Sequence, residues 1–144
     1  MRNRVAVLHG VNLDALDRRP AEHYGGLTFT QLERRIEQFA RELGLDARFF
    51  QSNHEGEYVE EIHKAADYAD GLLLNAGAWT HYSWALRDAV ELSGLPAVEV
   101  HLSDVEHREE FRRISVFAGV CVAKVSGKGP DGYRDALAAL KDAL

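Results

Sequence analysis

The sequence predicts an α/β fold in which a parallel sheet is wound with helices. Three observations carry this: short apolar runs rich in β-branched residues, stretches of helical period between them, and a length of 144 residues that suits one domain spanning 1–144. The first run is Val5 to His9. The segment from about 10 to 27 follows, with Pro20, Gly25, Gly26 and the Arg18/Arg19 pair but no helical or strand period, and it reads as a lid loop over a site. In TQLERRIEQFAREL, from Thr30, residues Leu32, Ile36, Phe39, Ala40 and Leu43 share one helix face, and Thr30 with Glu33 has capping-box spacing. The second run, Ala47 to Gln51, leads to a helix over Glu57 to Ala69 with Val59, Ile62 and Ala66 at helical spacing. After the third run, Gly71 to Asn75, a helix over Ser83 to Ser93 turns Leu86, Ala89 and Val90 inward and stops at Gly94 and Pro96. The fourth run is Ala97 to His101. A charged segment, Val105 to Phe111, separates it from the fifth, Val116 to Val125, and Gly132 to Leu144 closes the chain as a helix with Tyr133, Leu137 and Leu140 inward.

Composition narrows the function. Lys and Arg total 17 against 23 Asp and Glu, a formal charge of −6, which argues against a nucleic-acid partner held by overall electrostatics. Thirteen of the 17 cations are Arg, whose planar fork suits carboxylates, although most of them fall on predicted helix surfaces. The lone Cys121 rules out an internal disulfide framework or a multi-cysteine zinc site and points to a reducing compartment. No stretch approaches the ~18 consecutive apolar residues of a membrane span, so a soluble cytoplasmic protein with no membrane partner is expected.

In open parallel sheets, ligands bind beyond the carboxyl ends of the strands. Here those ends deliver His9, Gly10 and Asn12; Gln51, Ser52, Asn53 and His54; Asn75, Thr80 and His81; and Glu99, His101 and Ser103. Asn, His and hydroxyl groups outnumber Lys and Glu in this set, which favours a neutral polyol or hydroxy acid as ligand. The alternation in VEVHL puts Glu99 and His101 on one face, where the carboxylate would orient the imidazole for acid–base work or simply satisfy it in the core. Tyr24 lies in the lid near Arg18 and Arg19. A phenol titrates near ~10 when unperturbed and becomes a usable base beside a guanidinium, although a loop Tyr also serves as packing. Arg108 and Arg112, four apart, would share a helix face, with pairing to Glu109 and Glu110 as the plain alternative. GxGxxG, GxxxxGKS, HExxH and GxSxG are all absent, so the usual dinucleotide, P-loop, zinc-protease and serine-hydrolase sites have no sequence support. No cofactor or metal is called for.

Taken together, these segments resemble the type II 3-dehydroquinate dehydratases. The resemblance runs from Gly10-Val11-Asn12-Leu13 through RRPAEHYGG, QSNHEG, NAGAWTHYSWALRDA, EVHLSD, REEFRRIS and GPDGY, in order and over nearly the whole chain. It implies a flavodoxin-like three-layer α/β/α fold with five parallel strands in the order 2-1-3-4-5. It also implies dehydration of 3-dehydroquinate to 3-dehydroshikimate through an enolate, without Schiff base or metal, in shikimate-pathway biosynthesis of aromatic amino acids or in quinate catabolism. In that likeness Tyr24 is the proton acceptor, His101 the proton donor fixed by Glu99, and Arg19 the stabiliser of developing charge, with Arg108 nearby and Asn12 holding a water on the enolate. Asn75, His81 and Arg112 correspond to ligands of substrate hydroxyls, and Leu102 and Ser103 to those of the substrate carboxylate. Asp88 corresponds to a residue reaching a neighbouring subunit's site in a homododecamer of four trimers.

The chain also departs from the family pattern. Val11 replaces a proline, Asp14 and Asp104 stand where neutral residues are common, Ile114 takes a position often filled by His, and Lys124 enters a strand that tends to be small or apolar. Asp104 would weaken binding of an anion unless it points outward or is paired. Pro20 directly follows Arg19 and restricts its backbone. These departures keep open a second expectation, a non-catalytic or retuned small-molecule-binding paralogue on the same scaffold.

Overall fold

A computed structural model describes residues 2–144. Five parallel strands, β1 (Arg4–His9), β2 (Asp46–Gln51), β3 (Gly71–Asn75), β4 (Ala97–Val100) and β5 (Ala123–Val125), form one sheet in the order β2-β1-β3-β4-β5. Every residue of β3 and β4, and all of β1 after Arg4, is buried, as expected of parallel strands covered on both faces. The two-residue period sorts their side chains between two cores. Val5, Val7, Leu73, Val98 and Val100 face α2 (Phe29–Glu42) and α5 (Gly132–Ala143), while Ala6, Leu8, Leu72, Leu74 and Ala97 face α3 (Glu55–Tyr68) and α4 (Trp84–Ser93). The three-layer α/β/α arrangement and the strand order agree with expectation. Because β1 lies between β2 and β3, the chain reverses its direction of winding there. The crevice at that switch point opens beyond the ends of β1 and β3.

Several local expectations are corrected. Helix α2 starts at Phe29 and is capped by Thr28, whose hydroxyl accepts from the Gln31 amide while the Gln31 side chain accepts from the Thr28 amide. Thr30 and Glu33 have the same spacing but lie inside the helix. The earlier pair prevails because it seats Phe29 edge-on against His9, at 4.8 Å between ring centroids. On α3 the buried stripe is Tyr58, Ile62 and Ala65, one step round from Val59 and Ala66, because the Tyr58 hydroxyl donates to the Leu8 carbonyl at 2.9 Å and its ring packs on Trp79.

The segment 10–27 is not without structure. A 3-10 turn at Leu13–Arg18 buries Leu13 and Leu16, and a single helical turn, α1 (Ala21–Tyr24), follows. The fifth run becomes a strand only at Ala123–Val125. Val116 and Phe117 instead plug the core beside α3 and α4, and Gly119 at φ +90° turns the chain before the strand. Between β4 and β5, two 3-10 turns (Val105–His107 and Glu110–Arg113) flank an extended Arg108, so Arg108 and Arg112 do not share a helix face.

Candidate active site

Beyond the ends of β1, β3 and β4 lies a cavity of about 180 Å³. Asn12, Arg19, Tyr24, Asn75, His81, His101, Leu102, Ser103 and Arg112 line it, with an apolar floor that includes Leu13, Leu16 and Val105. Each arrives by a local cause. Asn12 adopts the left-handed conformation (φ 69°), and its amide donates to Asn53 Oδ1 at 2.8 Å. Asn53 in turn donates to Asp14 at 3.1 Å, and Gln51 donates to the Gly10 carbonyl at 3.3 Å. The polar end of β2 therefore braces the Asn12 turn from outside the cavity, taking up Asp14 and holding the turn that Val11 leaves without a proline ring. Only glycine fits at position 10, since a Cβ there would lie 2.3 Å from the Ala76 carbonyl oxygen.

Segment 10–27 sets a tyrosine under two guanidinium groups. Arg19, extended at φ −92° and ψ 152° as a residue before proline must be, donates from Nη2 to the Tyr24 hydroxyl and stacks over its ring at 4.3 Å. Arg108 donates from Nη1 to the same oxygen at 2.6 Å and to Ser103 Oγ at 3.2 Å. The extended backbone between the two 3-10 turns is what lets it reach inward. Two cationic donors converging on one phenolic oxygen are the surroundings an oxyanion requires.

On the β4 side, His101 Nε2 lies 2.5 Å from Glu99 Oε2, and both residues are at most 5% exposed. Burial pushes the Glu99 carboxyl up, but the hydrogen bond and charge of His101 and the Ser115 hydroxyl outweigh it and hold the group below its ordinary value. With Nε2 engaged, Nδ1 has no protein partner among the described residues, which leaves that nitrogen of a cavity-lining ring free for a ligand. The His81 ring stacks 6.3 Å from that of His101, and its Nδ1 meets the Ile114 carbonyl at 2.7 Å. Burial, with His101 and Arg112 nearby, holds His81 below its ordinary value despite that carbonyl.

Asn75, at the end of β3, is fixed on both sides. Its Nδ2 donates to the buried Tyr133 hydroxyl at 2.9 Å, and its Oδ1 accepts from the Gly77 amide at 3.3 Å.

Of the residues singled out from sequence, Glu99 and Arg108 stand behind the cavity wall, and Asp88 is exposed on α4 outside it. His9 and Thr80 point into the cores, while Gln51, Ser52, Asn53 and His54 stay outside, so not every polar strand end reaches the cavity. Asp104 points outward onto His107 Nδ1 at 2.6 Å, so its charge does not oppose an anionic ligand. Ser115 and Tyr133, which support Glu99 and Asn75, went unrecognised as site residues because only long-range packing brings them there. Among the described residues, no group of three His, Cys, Asp or Glu side chains could hold a metal.

The chain is similar to known proteins over nearly its whole length. Residues 3–141 match the family model for dehydroquinase class II. The chain is 46% identical over 142 residues, 98% of each chain, to a 3-dehydroquinate dehydratase of Caldicellulosiruptor saccharolyticus. Among solved structures, it superposes on a type II dehydroquinase from Butyrivibrio crossotus with a TM-score of 0.92 at 37% identity, covering 97% of this chain and 98% of the other. A type II dehydroquinase from Propionibacterium acnes gives 0.91 at 38% identity, with 99% and 98% covered.

Proposed function

The chain belongs to the class II dehydroquinases, and from that membership we infer that it is a 3-dehydroquinate dehydratase working through Tyr24 and His101. The carrying observation is that one small cavity is lined by both a phenol oxygen under Arg19 and Arg108 and an imidazole backed by a buried carboxylate.

The reaction removes a weakly acidic proton beside a ketone and expels a tertiary hydroxyl, so it needs a strong base, a stabilised enolate and an acid. Tyr24, as phenolate held by Arg19 and Arg108, takes the proton on carbon. Electron density moves onto the ketone oxygen, where a water bound at Asn12 stabilises it. The enolate re-forms the ketone as the carbon–oxygen bond breaks, and His101, its charge balanced by Glu99, protonates the departing hydroxyl to give water. Return of the proton from Tyr24 to His101 resets the site. Asn75, His81 and Arg112 hold the substrate hydroxyls, and Leu102 and Ser103 its carboxylate. Closure of segment 10–27 over the cavity excludes water and strengthens each of these interactions.

The product is a conjugated enone, so turnover appears as ultraviolet absorbance when folded protein meets 3-dehydroquinate. Absence of that signal overturns the assignment. Borohydride leaves activity intact, since no lysine among the described residues lines the cavity. Tyr24→Phe and His101→Ala each lower turnover by more than about a hundredfold, and a near-normal rate removes that residue from the mechanism.

A homododecamer of four trimers, acting in the cytoplasm, completes this reading. Asp88 is exposed and away from its own cavity, as a residue acting on a neighbour's site would be, and Tyr82, Trp84, Leu92 and Val122 leave apolar surface for subunits to cover. Size-exclusion chromatography with light scattering tests the assembly, and a monomer contradicts it. Among the described residues, no helix is long and apolar enough to cross a membrane.

A further inference from the structure

Glu99 has a second partner on the side away from the cavity. The Ser115 hydroxyl lies 2.7 Å from Glu99 Oε1, and the Phe117 amide donates to the same Ser115 oxygen at 3.1 Å. A hydroxyl has one proton, and an amide N–H cannot accept it, so the Phe117 contact commits that proton to Glu99. The carboxylate is 2% exposed, and both its oxygens are now satisfied, Oε2 by His101 and Oε1 by Ser115. On the neighbouring strand Lys124 is the register partner of Glu99, and with Ser115, Arg113 and Cys121 it lines a shallow recess behind the carboxylate. Lys124 is the residue that stands out in a strand otherwise suited to small or apolar side chains.

We propose that Ser115, backed by the charge of Lys124, is a positioning residue for the dehydration, keeping Glu99 ionised and oriented so that His101 retains its proton for the departing hydroxyl. This rests on the reading of His101 as the acid. Without the hydroxyl, Oε1 is a buried acceptor with no donor, and the pair relieves that cost by passing the imidazole's proton to the carboxylate. A neutral pair is a poorer acid for a leaving hydroxyl. The surrounding groups do not mask the effect. His81, held below its ordinary value mainly by burial, and the permanently charged Arg112 face the pair from the cavity; behind it stand Arg113, Cys121 and Lys124, whose ammonium also pairs with Glu106 Oε1 at 3.2 Å and so gives Glu99 only part of its charge. Burial, and then the charge of Glu99, push the Cys121 thiol up to about 12, so it does not ionise in the working range.

The test compares the full-length parent with Ser115→Ala, Ser115→Thr and Lys124→Met. It reads the pH dependence of kcat and KM together with the imidazole nitrogen signals of His101 in substrate-free protein. Ser115→Ala lowers kcat about tenfold with KM within about twofold, the alkaline limb of the kcat profile moves to higher pH by about one unit because the pair keeps its proton on the carboxylate, and the His101 signals below that limb shift towards the neutral imidazole. Ser115→Thr restores both. Lys124→Met moves the same limb the same way by less, since it removes a charge and leaves the hydrogen bond.

A folded Ser115→Ala with the parent's kcat and His101 titration overturns the proposal, as does a rise in KM alone. If Ser115→Ala does not fold, Lys124→Met decides: an unmoved His101 titration overturns it. A parent with no dehydratase turnover refutes the reading of His101 as the acid, whereas an active parent with insensitive variants refutes only the role of Ser115.

Discussion

Replacing Tyr133 by Phe removes one oxygen from the interior and tests how the cavity is held. Tyr133 is fully buried in the first turn of α5, with its hydroxyl 2.9 Å from Nδ2 of Asn75, itself 5% exposed. Burial pushes the phenol well above its ordinary value, against the hydrogen bond from Asn75, so Tyr133 stays neutral and acts here as an acceptor. Phe keeps the ring and its packing, so almost no cavity term arises. What is lost is a buried hydrogen bond, net about 1 kcal/mol, plus part of the cost of an unpaired amide proton. Because Asn75 borders the cavity and water can reach it, the sum is about 1.5 kcal/mol, not the ~3 kcal/mol of a fully dry site. For a chain of this length the unfolding entropy is about 0.3 kcal/mol/K, so the melting temperature falls by about 5 °C.

Function responds through Asn75, which loses one of its two anchors. KM for 3-dehydroquinate rises several-fold, while kcat changes by less than about threefold. Thermal melting and steady-state assays of the parent, Tyr133→Phe, Asn75→Ala and the double variant give the coupling between the two residues, expected near 1 kcal/mol. Additive effects would refute the claim that this hydrogen bond orients Asn75. A collapse of kcat at constant KM would instead place Tyr133 in the chemistry.

Thr28→Ala removes half of the capping box on α2 and lowers stability by about 1 kcal/mol in denaturant unfolding, whereas Thr30→Ala, inside the helix, costs less. Gly10→Ala drives a methyl to 2.3 Å from the Ala76 carbonyl oxygen, so the protein melts markedly lower and the Asn12 turn is displaced, read as lost activity in whatever fraction folds. Asp70 accepts from the Arg4 side chain and amide, and these bonds hold its carboxyl at about 2. A depressed carboxyl stabilises the fold at pH above its ordinary value and loses that contribution as pH falls towards 2. Asp70→Asn therefore melts below the parent at pH 6, and scanning calorimetry shows the gap closing between about pH 4 and pH 2.

Much of the site was legible in the chain because parallel-strand chemistry is local. Buried β-branched runs announce strands, their carboxyl ends announce where ligands sit, and VEVHL puts Glu99 and His101 on one face by alternation alone. Segment 10–27 was legible only as an absence of period. Its 3-10 turn is held by burial of Leu13 and Leu16 against a core the segment does not itself contain. The helix that charge spacing suggests for Arg108 and Arg112 does not form: the docking of segment 105–113 over the cavity leaves Arg108 extended, and that extension places it on Tyr24, near Arg19 as the family likeness implies.

Periodicity, turn residues and motif order were thus enough to set the layers, while family likeness supplied the strand order and the residues proposed as acid, base and substrate ligands. Hydrophobic period and backbone preference act within a few residues of one another, and a sequence displays them directly. Tertiary packing decided which polar strand ends face the cavity, that Asp104 turns away from it, and that Ser115 and Tyr133 stand behind Glu99 and Asn75. Those contacts join residues 16 and 58 positions apart, and a hydrogen bond between them exists only once folding has excluded water from both groups.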